Sequence, residues 1–135
     1  MRVAIVGSGP SGFYAASRIL HSFDAQCGTG ENGVDIHMYE RLPTPFGLVR
    51  YGVAPDHPEV RNVENKFDEV ARDPRFTFLG NVQVTGGADV LPSAAVPVPL
   101  SCMAPYYTHI LFAYGASDAR HLHLPGTGPD GLQHI

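Results

Sequence analysis

Arg2-Val3-Ala4-Ile5-Val6 is an apolar, β-branched run that predicts a buried strand, and it breaks at once into Gly7-Ser8-Gly9-Pro10-Ser11-Gly12. A helix follows. From Phe13 to about His21 the apolar residues Phe13, Ala16, Ile19 and Leu20 recur at helical spacing, and the helix is expected to end near Ser22. Residues 24–33 lack periodicity and read as a surface loop. In residues 34–40, Val34, Ile36 and Met38 alternate with Asp35, His37 and Tyr39, the period of two expected of a strand.

Residues 43–58 are rich in Pro and Gly yet hold Phe46, Leu48, Val49, Tyr51 and Val53, so an ordered loop is expected there. Asp56 suits a helix cap and Pro58 the first turn beyond it. Val60, Val63, Phe67, Val70 and Ala71 then fall on one face of a helix that Asp73-Pro74 stops. Residues 76–79 and 82–84 read as short strands joined through Gly80-Asn81 in a hairpin. Residues 91–105 contain Pro92, Pro97, Pro99 and Pro105, which rule out a long α-helix and predict irregular structure. Residues 108–113 form a last strand, running into Tyr114-Gly115-Ala116.

Composition narrows the classes. The 135 residues give room for one domain, and 44% hydrophobic residues supply a core. A net charge of -4 with Lys66 as the single lysine argues against nucleic-acid binding. Cys27 and Cys102 are too far apart for a CxxC, and His109, His121 and His123 have no carboxylate or cysteine at ligand spacing, so no metal is expected. No apolar stretch approaches the roughly 20 residues of a membrane helix. The first strand begins at Arg2, so no presequence is expected.

Strand, GxGxxG, helix, strand and acidic residue make up the dinucleotide-binding fingerprint. Gly7 permits the tight turn, Gly9 lets backbone approach a pyrophosphate, and Gly12 lets the helix pack on the sheet. Glu40, at the end of the second strand, suits a ribose hydroxyl and opposes a 2′-phosphate by charge. It lies 28 residues after Gly12, against a usual spacing of about 20, and the loop at 24–33 accounts for the excess. The fingerprint alone does not separate FAD from NAD.

Residues 45–58, reading PFGLVRYGVAPDHP, settle the kind of nucleotide by likeness. With VGSGPSGFYA at 6–15, EVRNV at 59–63, GNV at 80–82, AYGA at 113–116 and LPG at 124–126, the chain resembles the adrenodoxin reductase family of ferredoxin–NADP reductases. The likeness covers most of residues 2–90 and 106–135. It implies an α/β, Rossmann-like FAD-binding domain with a parallel sheet, and an enzyme that passes electrons from NADPH through FAD to an iron–sulfur ferredoxin of the adrenodoxin kind. FAD would be the bound cofactor and NADP a substrate cofactor. By position Gly7, Gly9, Pro10, Ser11 and Gly12 would hold the pyrophosphate, Glu40 the ribose, Leu48 the flavin side and the backbone of Val84 the adenine side. Arg41, Gly47 and Gly115 complete the implied cofactor set, and His57 falls where the family places a histidine near the isoalloxazine ring. A mitochondrial location, in the matrix or at the inner membrane, is implied by the same likeness.

Other readings of these residues stay open. Phe46, Leu48 and Val53 also suit plain core positions. Asp56 suits a cap better than an acid, and Arg50 fits solvent as well as an anion. The family's NADPH-binding domain is expected to be absent from residues 1–135, leaving an incomplete, truncated flavoprotein of low activity. Residues 91–105 read as an insert of foreign composition, with a translated intron as the hypothesis. A non-catalytic nucleotide-binding fragment and an NAD-binding dehydrogenase are the alternatives. The second would need a catalytic Tyr-Lys or Ser pair, and Lys66 gives it little to work with.

Overall fold

The computed structural model describes residues 1–27, 33–47, 49, 63–86 and 94–116. Its centre is a four-stranded, all-parallel sheet in the order β3-β2-β1-β6. The strands are β1 (Arg2–Val6), β2 (Asp35–Tyr39), β3 (Phe76–Leu79) and β6 (His109–Phe112). β4 (Val82–Thr85) and β5 (Val96–Pro99) form a separate parallel pair. Three helices are described: α1 (Pro10–Cys27), α2 (Val63–Ala71) and the single-turn α3 (Leu100–Met103), which runs into a 3-10 turn at Ala104–Tyr106.

Pairing of Val3 with Ile36 and Ile5 with Met38 sets the apolar positions of β1 and β2 on one face. There they meet Phe13, Ala16 and Leu20 of α1 and Phe67 and Val70 of α2. Phe13 is the hub of this core, stacked on Phe67 at 4.8 Å between ring centroids and tilted against Phe46 at 5.2 Å and Phe76 at 5.8 Å. The opposite face carries Asp35, His37 and Tyr39. Tyr107 covers it, with its hydroxyl 2.6 Å from His37 Nδ1 and 2.5 Å from the Tyr39 hydroxyl.

Four expectations change. α1 runs past Ser22 to Cys27, because Phe23 extends the apolar stripe onto the core and Asp24 reaches Arg75, at 2.6 Å to Nη1. Residues 28–32 of the expected loop lie outside the described residues. On α2, Ala71 is exposed, while Phe67 and Val70 are buried. The expected starts of that helix, Asp56 and Pro58, also lie outside the described residues.

The hairpin at Gly80-Asn81 does not form. β3 pairs in parallel with β2 through Ile36 opposite Phe76, and β4 leaves the main sheet to pair with β5. Asn81 sits at φ 59 and donates its N–H to Leu42 O at 3.0 Å, while Val82 N–H donates to Glu40 O at 2.8 Å. A Cβ at Gly80 would stand 2.9 Å from Pro43 O, so glycine serves close passage of two chain segments there.

Residues 94–105 are also more regular than expected, and residues 91–93 of the expected irregular segment lie outside the described residues. Ala95 and Met103 are buried, and residues 96–103 form β5 and α3. Val96 N–H donates to Asn81 O at 2.8 Å. In a parallel pair alternate residues turn their N–H toward the neighbour, so Pro97 and Pro99 fall where the missing N–H faces away from β4. The prolines therefore exclude a helix but fit this edge strand. The α/β class with a parallel sheet stands.

Candidate functional site

Parallel strands bring their carboxyl ends to one edge of the sheet, and in open α/β sheets ligands bind in the crevice outside those ends. Here the crevice is a cleft of about 690 Å³ beyond β1, β2 and β6, with β4 along one side. Its floor is the turn from β1 into α1. Gly7 stands at φ 108, which glycine adopts without strain, and a Cβ there would lie 2.5 Å from Ala113 O. Gly7 N–H donates to Tyr39 O at 2.8 Å and Ala113 N–H to Val6 O at 2.7 Å, so the turn is tied to both flanking strands.

α1 starts at Pro10, whose fixed φ suits a first helical position. Phe13 N–H donates to Gly9 O at 3.2 Å; amides earlier in the turn precede the first possible intrahelical acceptor. The first turn holds no acidic residue, so the positive end of the helix dipole is left for an anion. A Cβ built at Gly9 meets nothing within 4 Å. Gly9 therefore lines open space, the arrangement that lets a phosphate approach bare backbone. At Gly12 the geometry is the reverse, since a Cβ would collide with Gly7 O.

Glu40 closes the next side. Its Oε2 accepts from Ser8 N–H at 2.9 Å and from Ser8 Oγ–H at 2.7 Å, and its Oε1 accepts from Leu42 N–H at 3.1 Å. Phe46 packs beneath at φ 85, its N–H donating to Ser8 O at 3.0 Å. Gly47 follows at φ 49, where a Cβ would lie 3.5 Å from Gly9 Cα. The loop after β2 is thus laid against the glycine turn.

Of the residues singled out from the sequence, the fold brings Gly7, Gly9, Pro10, Ser11, Glu40, Arg41, Gly47, Val84 and Gly115 to this one cleft. Gly12 is not among the lining residues; it packs helix against strand, the role its place in the fingerprint gives it. Leu48 and His57 lie outside the described residues. Sequence reasoning missed Ser8, Gln83, Phe112 and Tyr114, which also line the cleft. The signal for Tyr114 was present in its position after the last strand. Among the described residues there is no group of three or more His, Cys, Asp or Glu suited to a metal, and no helix long and apolar enough to cross a membrane.

No family model matches the chain. It is 45% identical over 124 residues to the NADPH-ferredoxin reductase FprA of Mycobacterium leprae, which covers 92% of this chain and 24% of that protein. It is 46% identical over 131 residues to the mitochondrial NADPH:adrenodoxin oxidoreductase of Homo sapiens, covering 97% of this chain and 23% of that protein. The structure of Mycobacterium tuberculosis FprA in complex with NADPH matches with a TM-score of 0.75 at 42% identity, over 93% of this chain and 25% of that one. Several eukaryotic relatives are named mitochondrial, while the FprA proteins are mycobacterial. The chain spans about a quarter of the length of the curated relatives it matches, and over that span it is a homologue of the NADPH:adrenodoxin oxidoreductases and FprA-type NADPH-ferredoxin reductases.

Proposed function

We propose that residues 1–135 are a Rossmann-like FAD-binding domain of an NADPH:ferredoxin oxidoreductase of the adrenodoxin reductase kind. The observation that carries this reading is the cleft at the carboxyl ends of β1, β2 and β6, where bare backbone at Gly9, the start of α1 and the Glu40 carboxylate converge. Such a site fits an adenosine diphosphate group with free ribose hydroxyls. A 2′-phosphate would meet the Glu40 carboxylate, so FAD suits this cleft and NADPH belongs to another site.

In this reading Gly7, Gly9, Pro10 and Ser11 hold the pyrophosphate, with Gly12 seating α1 behind them. Glu40 holds the ribose, the backbone of Val84 borders the adenine, and Arg41, Gly47 and Gly115 line the remaining walls. Leu48 and His57 attend the flavin end. When bound, the flavin supplies the link between a hydride donor and a one-electron acceptor. The protein's part is to fix the ring and keep water from it. NADPH as donor, an iron–sulfur ferredoxin as acceptor and a mitochondrial location are further parts of the proposal, supported by the names of the relatives.

Equilibrium dialysis of the purified chain against FAD tests the reading. A flavin absorption band in excess on the protein side is expected. Equal flavin on both sides would overturn the assignment of the cleft.

A further inference from the structure

We infer that Ser8 is a positioning residue for ribose recognition, holding the Glu40 carboxylate in the one rotation that leaves an acceptor for the hydroxyls of an adenine nucleotide. The inference rests on the nucleotide reading of the cleft and goes beyond it in naming what aims the acid. Ser8 is the middle residue of the Gly7-Ser8-Gly9 turn, and it is fully buried at 0% exposure. Its own position is fixed from outside, because its carbonyl accepts from Phe46 N–H at 3.0 Å.

Both of its donors go to a single atom. The N–H and the hydroxyl of Ser8 lie 2.9 and 2.7 Å from Glu40 Oε2, and Leu42 N–H lies 3.1 Å from Oε1. An ionised carboxylate offers about four lone-pair sites. Ser8 fills two on Oε2 and Leu42 one on Oε1, which leaves one on Oε1 for a ligand donor. Glu40 is a flexible side chain at a cleft wall, and two bonds from one immobile residue stop its rotation. Without the Ser8 hydroxyl, Oε2 keeps an unfilled acceptor site, and only the backbone N–H groups of residues 8 and 42 still hold the carboxylate, so its orientation is less tightly fixed.

A buried serine that only satisfied itself would stabilise the fold and do nothing selective for a ligand. Calorimetric titration of the full chain with ADP and with 2′,3′-dideoxy-ADP separates the two cases. Ser8→Ala is expected to weaken ADP about five- to tenfold, the scale of one ordinary hydrogen bond, and to leave dideoxy-ADP within about twofold of the unsubstituted chain. Ser8→Cys, which keeps the side-chain shape at slightly larger size and loses the strong donor, carries the same expectation if Ser8→Ala fails to fold. Equal losses for both nucleotides, or no loss for either, overturn the inference. If the unsubstituted chain binds ADP but not FAD, the flavin reading falls and the inference stands on ADP alone. If it binds neither nucleotide, both fall.

Discussion

Gly9 and Gly12 stand three residues apart in one turn, and their missing side chains serve opposite ends. A Cβ at Gly9 enters open cleft, whereas a Cβ at Gly12 strikes the backbone of Gly7. Gly9→Ala should therefore leave thermal stability nearly unchanged and weaken FAD or ADP by about tenfold or more, read by titration. Gly12→Ala should cost about 1–3 kcal/mol in denaturant unfolding before any ligand is added. Phe67, 1% exposed and stacked on Phe13, is a core residue in the same sense. Its replacement by Ala should cost about 3–5 kcal/mol, measured the same way. The open space at Gly9 and the close packing at Gly12 were legible because the fingerprint fixes their spacing. Ser8 was not, since the pattern leaves its position open and its partner Glu40 is 32 residues away.

Elements are held in place by two polar clusters. Arg75, ahead of β3, bonds Asp24 of α1 at 2.6 Å and Asp73 at 2.8 Å. Its hydrogen bonds hold both carboxyls below their ordinary value of 3.8. Carboxylates depressed in the folded state add stability above pH 3.8 and lose it as pH falls through their folded values. The gap in unfolding free energy between the unsubstituted chain and Arg75→Met should thus be widest near neutrality and narrow below about pH 4; a gap constant with pH would contradict it. Tyr107 behaves in the other direction. Burial, then its bond to Tyr39, raises its hydroxyl above the ordinary 10.0. Its contribution is complete below pH 10 and is lost as the unfolded chain ionises above that, so the gap to Tyr107→Phe should narrow in denaturant series carried from pH 8 to 11.

The same scale explains what the sequence could and could not say about elements. Periodicity identified β1, β2 and the apolar face of α1, because each carries its buried face as a pattern within its own few residues. It stopped α1 at Ser22 because the tie of Asp24 to Arg75 spans 51 residues. It made a hairpin of Gly80-Asn81 because the strand that claims β4 comes later in the chain and carries two prolines. Turn chemistry reports that the chain turns, not which neighbour it turns toward.

For the whole molecule, the parallel order β3-β2-β1-β6 places every carboxyl end at one edge, and that edge gathers residues from distant parts of the chain into one cleft. Architecture and candidate site thus have one cause. The central claim is that this cleft takes the adenosine diphosphate half of FAD, and a flavin fluorescence titration of the full chain with FAD tests it most directly, with ADP and FMN as competitors. The account predicts saturable binding that ADP reverses and FMN does not, and that Gly9→Ala weakens. Binding displaced by FMN and indifferent to ADP would contradict it.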